Sequence, residues 1–366
     1  MNPLYIDSQR VGLGVDGFSL YVKDLKTGKL IEKFKPRDIP YDSIFIQRPN
    51  GFVSFAALNW LVKHAISLTI LNWRGNILGQ FLPEEPISNE LKIAQVEAYQ
   101  SREKHLAIAR SIVQAKLWRQ HEFVKNLTSY SLEIPRVASN SEDFLRNQEA
   151  RFATRYFEQF GLLCGKLGFT FKRRNQTKSN MHSADLPNGL LNYAYALLQT
   201  YVRRAINSIG LDNSIPFLHD LRRNTGLVYD LMELWRTNCD YSVLQTLEEL
   251  KRTKKTHYLT DGYEVMLEAD TISTLFDKVK LNLSLEEIIL NCRFFAKHLL
   301  GQRKLEFALK PVQVKRAFET DQIKEIILTK SARELGMNKS SLWYQRKKLE
   351  QSGTVRLYNK SKHHFI

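Results

Sequence analysis

The sequence predicts an α+β protein with three successive regions, and three observations carry that expectation. Residues 1–85 read as β-rich, and VGLGVDGFSLYVKD alternates around glycines with the two-residue period of half-buried β-strands. Across 90–320 the apolar positions recur at three- and four-residue intervals over many turns, the pattern of helices that bury one stripe. Residues 321–366 change character again into a basic tail with the grammar of a helix-turn-helix.

Taken in chain order, VGLGVDGFSLYVKD and YDSIFIQRPNGFVS give short strands, the second with an Asn50-Gly51 turn. SFAALNWLVKHA reads as a helix, and SLTILNWRGNILGQF as strands joined by the turn Arg74-Gly75-Asn76. PEEP at 83–86 is a linker, since its prolines interrupt regular structure and its carboxylates favour solvent. The first region is therefore a small β domain of several short strands.

Helical periodicity runs through NELKIAQVEAYQSREKHLAIARSIVQAKLWRQHEFVKNL and resumes in SEDFLRNQEARFATRYFEQFGLL, where Ser141, Glu142 and Asp143 suit a helix start. LLNYAYALLQTYVRRAINSIG reads as a helix ended by Gly210, and TGLVYDLMELWRTNCDYSVLQTLEELKR as further helical material after a short loop. In the tail, LTKSARELGMNKSSLWYQRKKLEQSG places Ala332 and Leu335 inward on a first helix and Gly336 at the turn. Asn338 or Ser340 caps a second helix, whose Leu342 and Leu349 share a core-facing side. Arg346, Lys347 and Lys348 then face DNA or water; an ordinary helical hairpin with a solvated basic face fits the same pattern.

The balance of 43% hydrophobic and 25% charged residues over 366 positions suits globular domains rather than disorder. With 54 Lys and Arg against 38 Asp and Glu, the formal charge of +16 favours polyanionic partners, nucleic acid above all. Cys164, Cys239 and Cys292 are scattered, odd in number and without a CxxC pair, so neither a disulfide framework nor a zinc knot is expected. The first residues lack the basic and apolar segments of a signal peptide. The uncharged run Leu186–Val202 is short of the roughly 20 apolar residues of a membrane span and contains Pro187, Asn188, Gly189, Asn192 and Gln199. A soluble, cytoplasmic protein is the expectation.

Four residues stand out for chemistry. Asp230 and Glu233 lie three apart in TGLVYDLMELWR, which puts two carboxylates on one side of a largely apolar helix. Such a pair needs compensation, either from a divalent cation or from arginines such as Arg222, Arg223 and Arg236. His219, in SIPFLHDLRRN, could offer a ring nitrogen to Mg²⁺ or Mn²⁺, or serve structure alone. Glu149, in NQEARFATRYFEQFG, sits among small alanines, where another backbone or a substrate can approach; an exposed glutamate on a helix face is the alternative. The basic segment FKRRNQTKSNMHSADLPNG supplies Lys172, Arg173, Arg174 and Lys178 for backbone phosphates. Tyr193 and Tyr195 beyond it suit either base stacking or core and dimer packing.

Together, NQEARFATRYF, PNGLLNYAYALL, FLHDLRR and VYDLMELWR, in that order and spacing, resemble the CRISPR-associated adaptation integrase family across most of residues 1–310. The resemblance implies a small β-sandwich-like N-terminal dimerisation domain at 1–85 and an all-α, metal-dependent catalytic domain at 90–320. The helix-turn-helix-like extension at 321–366 lies outside its strongest part. It implies a divalent-metal-dependent DNA endonuclease and integrase that joins 3′-OH ends of captured fragments into a CRISPR repeat. Carried over, Glu149, His219 and Glu233 hold Mg²⁺ or Mn²⁺, and Asp230 is a further acidic position supporting the catalytic set. His219 remains either a ligand or a proton acceptor, with the ligand role preferred.

Arg222 and Arg223 join the basic loop and tail residues as DNA-binding candidates. The implied assembly is a homodimer that meets a small ferredoxin-like adaptation partner and a DNA duplex with 3′-OH ends. Loop 171–182 departs from the compact Arg- and Pro-rich version expected in the family, which leaves open which basic residue there meets DNA. A transposon-encoded integrase with the same centre and a noncatalytic DNA-binding scaffold are the alternative readings.

Overall fold

A computed structural model describes residues 2–8, 10–47, 50–83, 88–128, 131–135, 141–172, 183, 185–219, 225–253, 258–260, 265–312, 314, 328, 331–332, 339–340, 342–343, 346–347, 358–359 and 364–365. The N-terminal region forms β1 (Pro3–Asp7), β2 (Val11–Asp16), β3 (Ser19–Asp24), β4 (Leu30–Phe34), β5 (Ser43–Gln47), β6 (Gly51–Val53), α1 (Phe55–Lys63), β7 (Ser67–Leu71) and β8 (Ile77–Phe81). One sheet has the order β1-β5-β7-β8 and the other β4-β3-β2-β6. In the first, β5 is parallel to β1 and β7, and β8 is antiparallel to β7.

The alternation along β5 explains how this region attaches to the rest. Ile44 and Ile46 share a core with Val11, Leu13, Leu20, Val22 and Phe34 of the second sheet and with Ala57, Trp60 and Leu61 of α1. Phe45 points the other way and joins the core of the helical region. Since successive side chains face opposite sides of a strand, one sheet serves two cores.

The edge strands β1 and β4 leave little trace in the sequence. An edge strand pairs on one side only, and β4 has exposed positions along LIEKF, so its apolar signal is weak. Proline at the first residue of β1 is tolerated there because it interrupts no central ladder.

A larger helical region follows: α2 (Asn89–Gln100), α3 (Arg102–Thr128), α4 (Glu142–Leu167), α5 (Leu186–Ile209), α6 (Gly226–Met232), α7 (Arg236–Thr253), α8 (Ala269–Asn282) and α9 (Leu285–Leu299). Central α5 is buried around most of its circumference, as expected of a helix with apolar residues on nearly every face. Asp185 caps its start by accepting the Asn188 N–H at 2.9 Å. Gly210 ends it with φ +87°, a backbone state for which glycine has no Cβ penalty.

The long helical pattern from residue 89 is broken at Ser101, whose extended backbone (φ −76°, ψ 107°) separates α2 from α3. A second break, at Glu233–Trp235, has a tightened geometry. Leu234 and Trp235 donate to carbonyls three residues back, at 3.1 and 3.0 Å. Inside the helical block, β9 (Tyr258–Thr260) pairs antiparallel with β10 (Val265–Leu267). The all-α expectation is corrected to that extent.

The two regions meet along a polar seam on α5. The Tyr201 hydroxyl donates to Asp42 Oδ1 at 2.9 Å, and the Tyr193 hydroxyl donates to the Trp73 carbonyl at 2.9 Å. Gly75, at φ +81°, closes that turn; a Cβ there would stand 2.8 Å from the Tyr193 ring.

The PEEP linker lies, apart from Pro83, outside the described residues. So do Leu335, Gly336, Asn338 and Leu349 of the expected helix-turn-helix. Residues 339–340, 342–343 and 346–347 are helical, Leu342 is buried and Trp343 is 60% exposed. Further on, β11 (Tyr358–Asn359) pairs antiparallel with β12 (His364–Phe365). The three cysteines are buried free thiols. Among the described residues, no helix is long and apolar enough to cross a membrane.

Candidate active site

The centre is assembled from four places in the chain: Lys116 on α3, Glu149 on α4, the loop around His219 after α5, and the break between α6 and α7. The loop is fixed by apolar packing and by one carboxylate. Phe217 is buried against the rings of Tyr99, His105 and Phe295. Pro216 packs on Gly226 so closely that a Cβ at Gly226 would lie 2.8 Å from Pro216 Cβ.

Asp230, 0% exposed, accepts the backbone N–H groups of Phe217, Leu218 and His219 at 2.5, 3.0 and 2.9 Å. Its Oδ1 also lies 2.7 Å from His219 Nδ1. A carboxylate can only accept here, so Nδ1 carries the proton. The neutral ring then has its lone pair on Nε2.

The spacing of Asp230 and Glu233 predicts two carboxylates presented from one side of a helix. The tightened turn separates their tasks instead. Asp230 is committed to the His219 loop, whereas Glu233 turns to two cations. Glu233, 3% exposed, places Oε1 at 3.1 Å from the Arg236 guanidinium and Oε2 at 2.8 Å from Lys116 Nζ. Burial opposes its ionisation, but Arg236 and Lys116 outweigh burial and hold the carboxyl below its ordinary value.

Lys116 is 6% exposed and also pairs with half-buried Glu149. Burial would discharge the ammonium, yet Glu233 and Glu149 overcome that and raise its pKa. One ammonium thus bridges the two carboxylates singled out as metal ligands.

Arg236 stacks over the Tyr195 ring at 5.1 Å to the centroid. The Tyr195 hydroxyl donates to Asp240 Oδ1 at 2.6 Å, and Tyr156 donates to the other oxygen of the same buried carboxylate. This series of interactions fixes the side of Glu233 that faces away from Lys116.

The structure brings Glu149 and Glu233 together on Lys116, while His219 is held on Asp230, one helical turn before Glu233 in the chain. Among the described residues, no three His, Cys, Asp or Glu side chains converge into a ready metal cluster. The donor set nevertheless fits a divalent cation. Two carboxylates already share one cation, and an imidazole nearby is oriented with Nε2 as its lone-pair nitrogen.

One neighbour of these carboxylates is marked by no motif: Lys116 stands outside the four linked segments, whereas Arg236 ends VYDLMELWR and is one of the arginines expected to compensate the pair. A signal for Lys116 was present, since it falls on the same helical stripe as buried Ile112, Val113, Gln120 and Phe123. A charged residue on a core-facing stripe calls for a partner.

Other candidates sort by position. Tyr193 is 1% exposed, its hydroxyl bonded and its ring against Gly75, so packing decides its role over base stacking. Tyr195 is held by Asp240 beneath Arg236. Lys172 is held through main-chain groups: its N–H donates to Asp185 and its carbonyl accepts from Asn188, both at 2.9 Å. Arg346 is half-buried, and exposed Lys347 lies over the Trp343 ring at 4.7 Å. Arg173, Arg174, Lys178, Arg222, Arg223 and Lys348 lie outside the described residues.

Residues 4–280 match the family described as CRISPR associated protein Cas1. The chain is 27% identical over 278 residues to a CRISPR-associated endonuclease Cas1 of Moorella thermoacetica, covering 68% of this chain and 82% of the relative. A Cas1 endonuclease of Archaeoglobus fulgidus is 24% identical over 344 residues, covering 83% of this chain and 98% of its own. Among solved structures, a casposase bound to integration product superposes with a TM-score of 0.74 at 26% identity, covering 90% of this chain and 99% of that one. The match over most of the chain, on a fold of a β-rich region followed by a larger helical one, shows that this protein belongs to the CRISPR-associated Cas1 family, with the Cas1-type nuclease and integrase function of spacer acquisition.

Proposed function

We propose that the chain joins the 3′-OH ends of captured DNA fragments into a CRISPR repeat, with Glu149, Glu233 and Nε2 of His219 as the ligands of Mg²⁺ or Mn²⁺. The observation that carries this reading is the convergence of Glu149 and Glu233 on one buried cation beside a histidine oriented by Asp230. When bound, the ion would lower the pKa of the hydroxyl and neutralise charge developing on the transferring phosphoryl group.

The chain's own residues prepare the rest. Asp230 fixes the tautomer and position of His219, and Arg236 keeps Glu233 ionised inside the fold. Glu149 is the more solvent-accessible of the two carboxylates, so DNA approaches from its side. The exchange of one phosphodiester for another needs no nucleotide hydrolysis, in keeping with a sequence that has no GxxxxGK[ST] motif.

The basic surplus supports DNA binding, with Lys172, Arg173, Arg174, Lys178, Arg222, Arg223, Arg346, Lys347 and Lys348 as the candidates. Residues 1–85 would form a homodimer interface, 90–320 the catalytic domain and 321–366 a helix-turn-helix-like DNA-binding extension. A small ferredoxin-like adaptation protein is the partner that family membership suggests.

A second reading shares the centre and differs in target: insertion of the ends of a mobile element. The similarity to a casposase over 90% of this chain favours it. Strand transfer decides between them. Purified protein receives a labelled duplex with free 3′-OH ends and a plasmid carrying the neighbouring repeat, in Mn²⁺ and then Mg²⁺, with 3′-blocked DNA and Glu149→Ala as controls. Joining at the repeat boundary supports spacer integration. Joining confined to element ends supports the second reading, and no joining with the small partner present removes both.

A further inference from the structure

Lys116 presents a physical problem. Burying an ammonium is costly before any partner is counted, and this one is almost fully enclosed on a helix whose buried face also carries Ile112, Val113 and Phe123. Its partners are the two carboxylates assigned above to the metal: it lies 2.8 Å from Glu233 Oε2 and pairs directly with Glu149. Arg236 takes the other oxygen of Glu233 and lies over the Tyr195 ring.

We propose that Lys116 is a tethered counter-cation of the metal centre: it closes the Glu149–Glu233 gap in the metal-free protein, and a divalent ion binds only by displacing it. This rests on the metal ligands proposed above.

Three features support it. Without Lys116, two like charges would face each other at the edge of the core, an arrangement that favours protonation or local opening. Lysine is a compact point charge on a flexible four-carbon stem, so it can withdraw without moving α3, as a rigid bidentate arginine could not. The two oxygens it touches belong to different helical segments, so whichever cation lies between them also joins α4 to the end of α6. A monovalent ion brings no more charge than the ammonium it would replace. The device therefore discriminates for divalent ions and holds the centre in shape until one arrives.

The test uses full-length protein freed of metal, with Mn²⁺ binding followed by calorimetry and stability by thermal unfolding. Lys116→Met should lower the melting temperature of the metal-free protein and tighten Mn²⁺ binding by about fivefold or more. Its melting temperature should also rise further on Mn²⁺ addition than that of the unaltered protein. Lys116→Arg, which retains the charge, should bind Mn²⁺ no more tightly than the unaltered protein; tighter binding overturns the proposal. Equal or weaker binding in Lys116→Met overturns it too. If Lys116→Met fails to fold without metal, Mn²⁺ must restore its circular dichroism, and failure to do so is equally decisive against it.

Glu149→Ala separates this from the underlying reading. If Mn²⁺ binding by the unaltered protein is undetectable or indifferent to Glu149→Ala, the metal centre itself is wrong and both ideas fall. Glu149-dependent binding with no gain in Lys116→Met removes only the role of Lys116.

Discussion

The carboxylate of Asp230 lies 2.7 Å from Nδ1 of His219 and at the same time gathers the main-chain N–H groups of residues 217–219. One buried side chain therefore sets both the path of the loop and the proton on the ring. Asp230→Asn keeps the shape but points an amide N–H₂ at donors. We expect a loss of about 3 kcal/mol in denaturant unfolding, since hydrogen bonds to a charged group are broken and buried donors are left unpaired. Mn²⁺ affinity should fall with it. A variant with normal stability and normal Mn²⁺ binding would show that the loop holds itself.

Glu233 predicts a pH dependence. Its folded pKa is depressed below the ordinary 4.5, so between the folded value and 4.5 the unfolded chain binds more protons. The stabilisation is fully present above pH 4.5 and is lost as pH falls through the folded value. Denaturant midpoints at pH 7 and at acid pH should therefore differ more for the unaltered protein than for Glu233→Gln, even though the variant is weaker at pH 7. Equal acid sensitivity would assign the acid limb to other carboxylates.

How much of this centre is legible in the sequence follows from what kind of signal each residue leaves. Glu149, His219, Asp230 and Glu233 stand in four linked sequence segments, and the helical region shows in its periodicity. The division of labour between Asp230 and Glu233 does not show, because it depends on two i→i+3 hydrogen bonds that end α6 just before Glu233. Lys116 is far from Glu149 and Glu233 in sequence and reaches them only through the packing of α3 against α4 and α7. In the N-terminal region β2, β3, β5 and β7 announce themselves by alternation. The edges β1 and β4 do not, although β8, also an edge, is legible after the turn Arg74-Gly75-Asn76.

Gly226 is a test of loop position without touching a charged group. A methyl there meets the rigid ring of Pro216 at 2.8 Å, and neither can yield without moving the 216–219 segment. Gly226→Ala should cost about 1–3 kcal/mol, the usual range for overpacking. Strand transfer should fall by a larger factor than stability alone would give at a temperature where the variant is folded. Full activity in a destabilised variant would show that the loop tolerates displacement.

Tyr193 separates packing from DNA binding. Buried between Gly75 and the seam with β5, it should behave as a core aromatic. Tyr193→Ala should lose about 3–5 kcal/mol, while Tyr193→Phe should lose about 1 kcal/mol for its hydrogen bond. Neither should change the salt dependence of DNA binding in folded protein. A weaker affinity for single-stranded DNA in folded Tyr193→Phe would restore the stacking role.

The tail offers the remaining measurement. Exposed Lys347 over Trp343, beside buried Leu342, is the arrangement of a short helix with one packed side and one basic side. If 321–366 neutralises phosphates, its removal should weaken duplex binding and make the slope of log affinity against log salt shallower. The change is about 0.9 for each phosphate that is no longer neutralised. Joining of 3′-OH ends at saturating DNA should persist, because Lys116, Glu149, His219 and Glu233 all lie upstream of the cut. An unchanged slope with joining abolished would move the tail from DNA binding to support of the catalytic region.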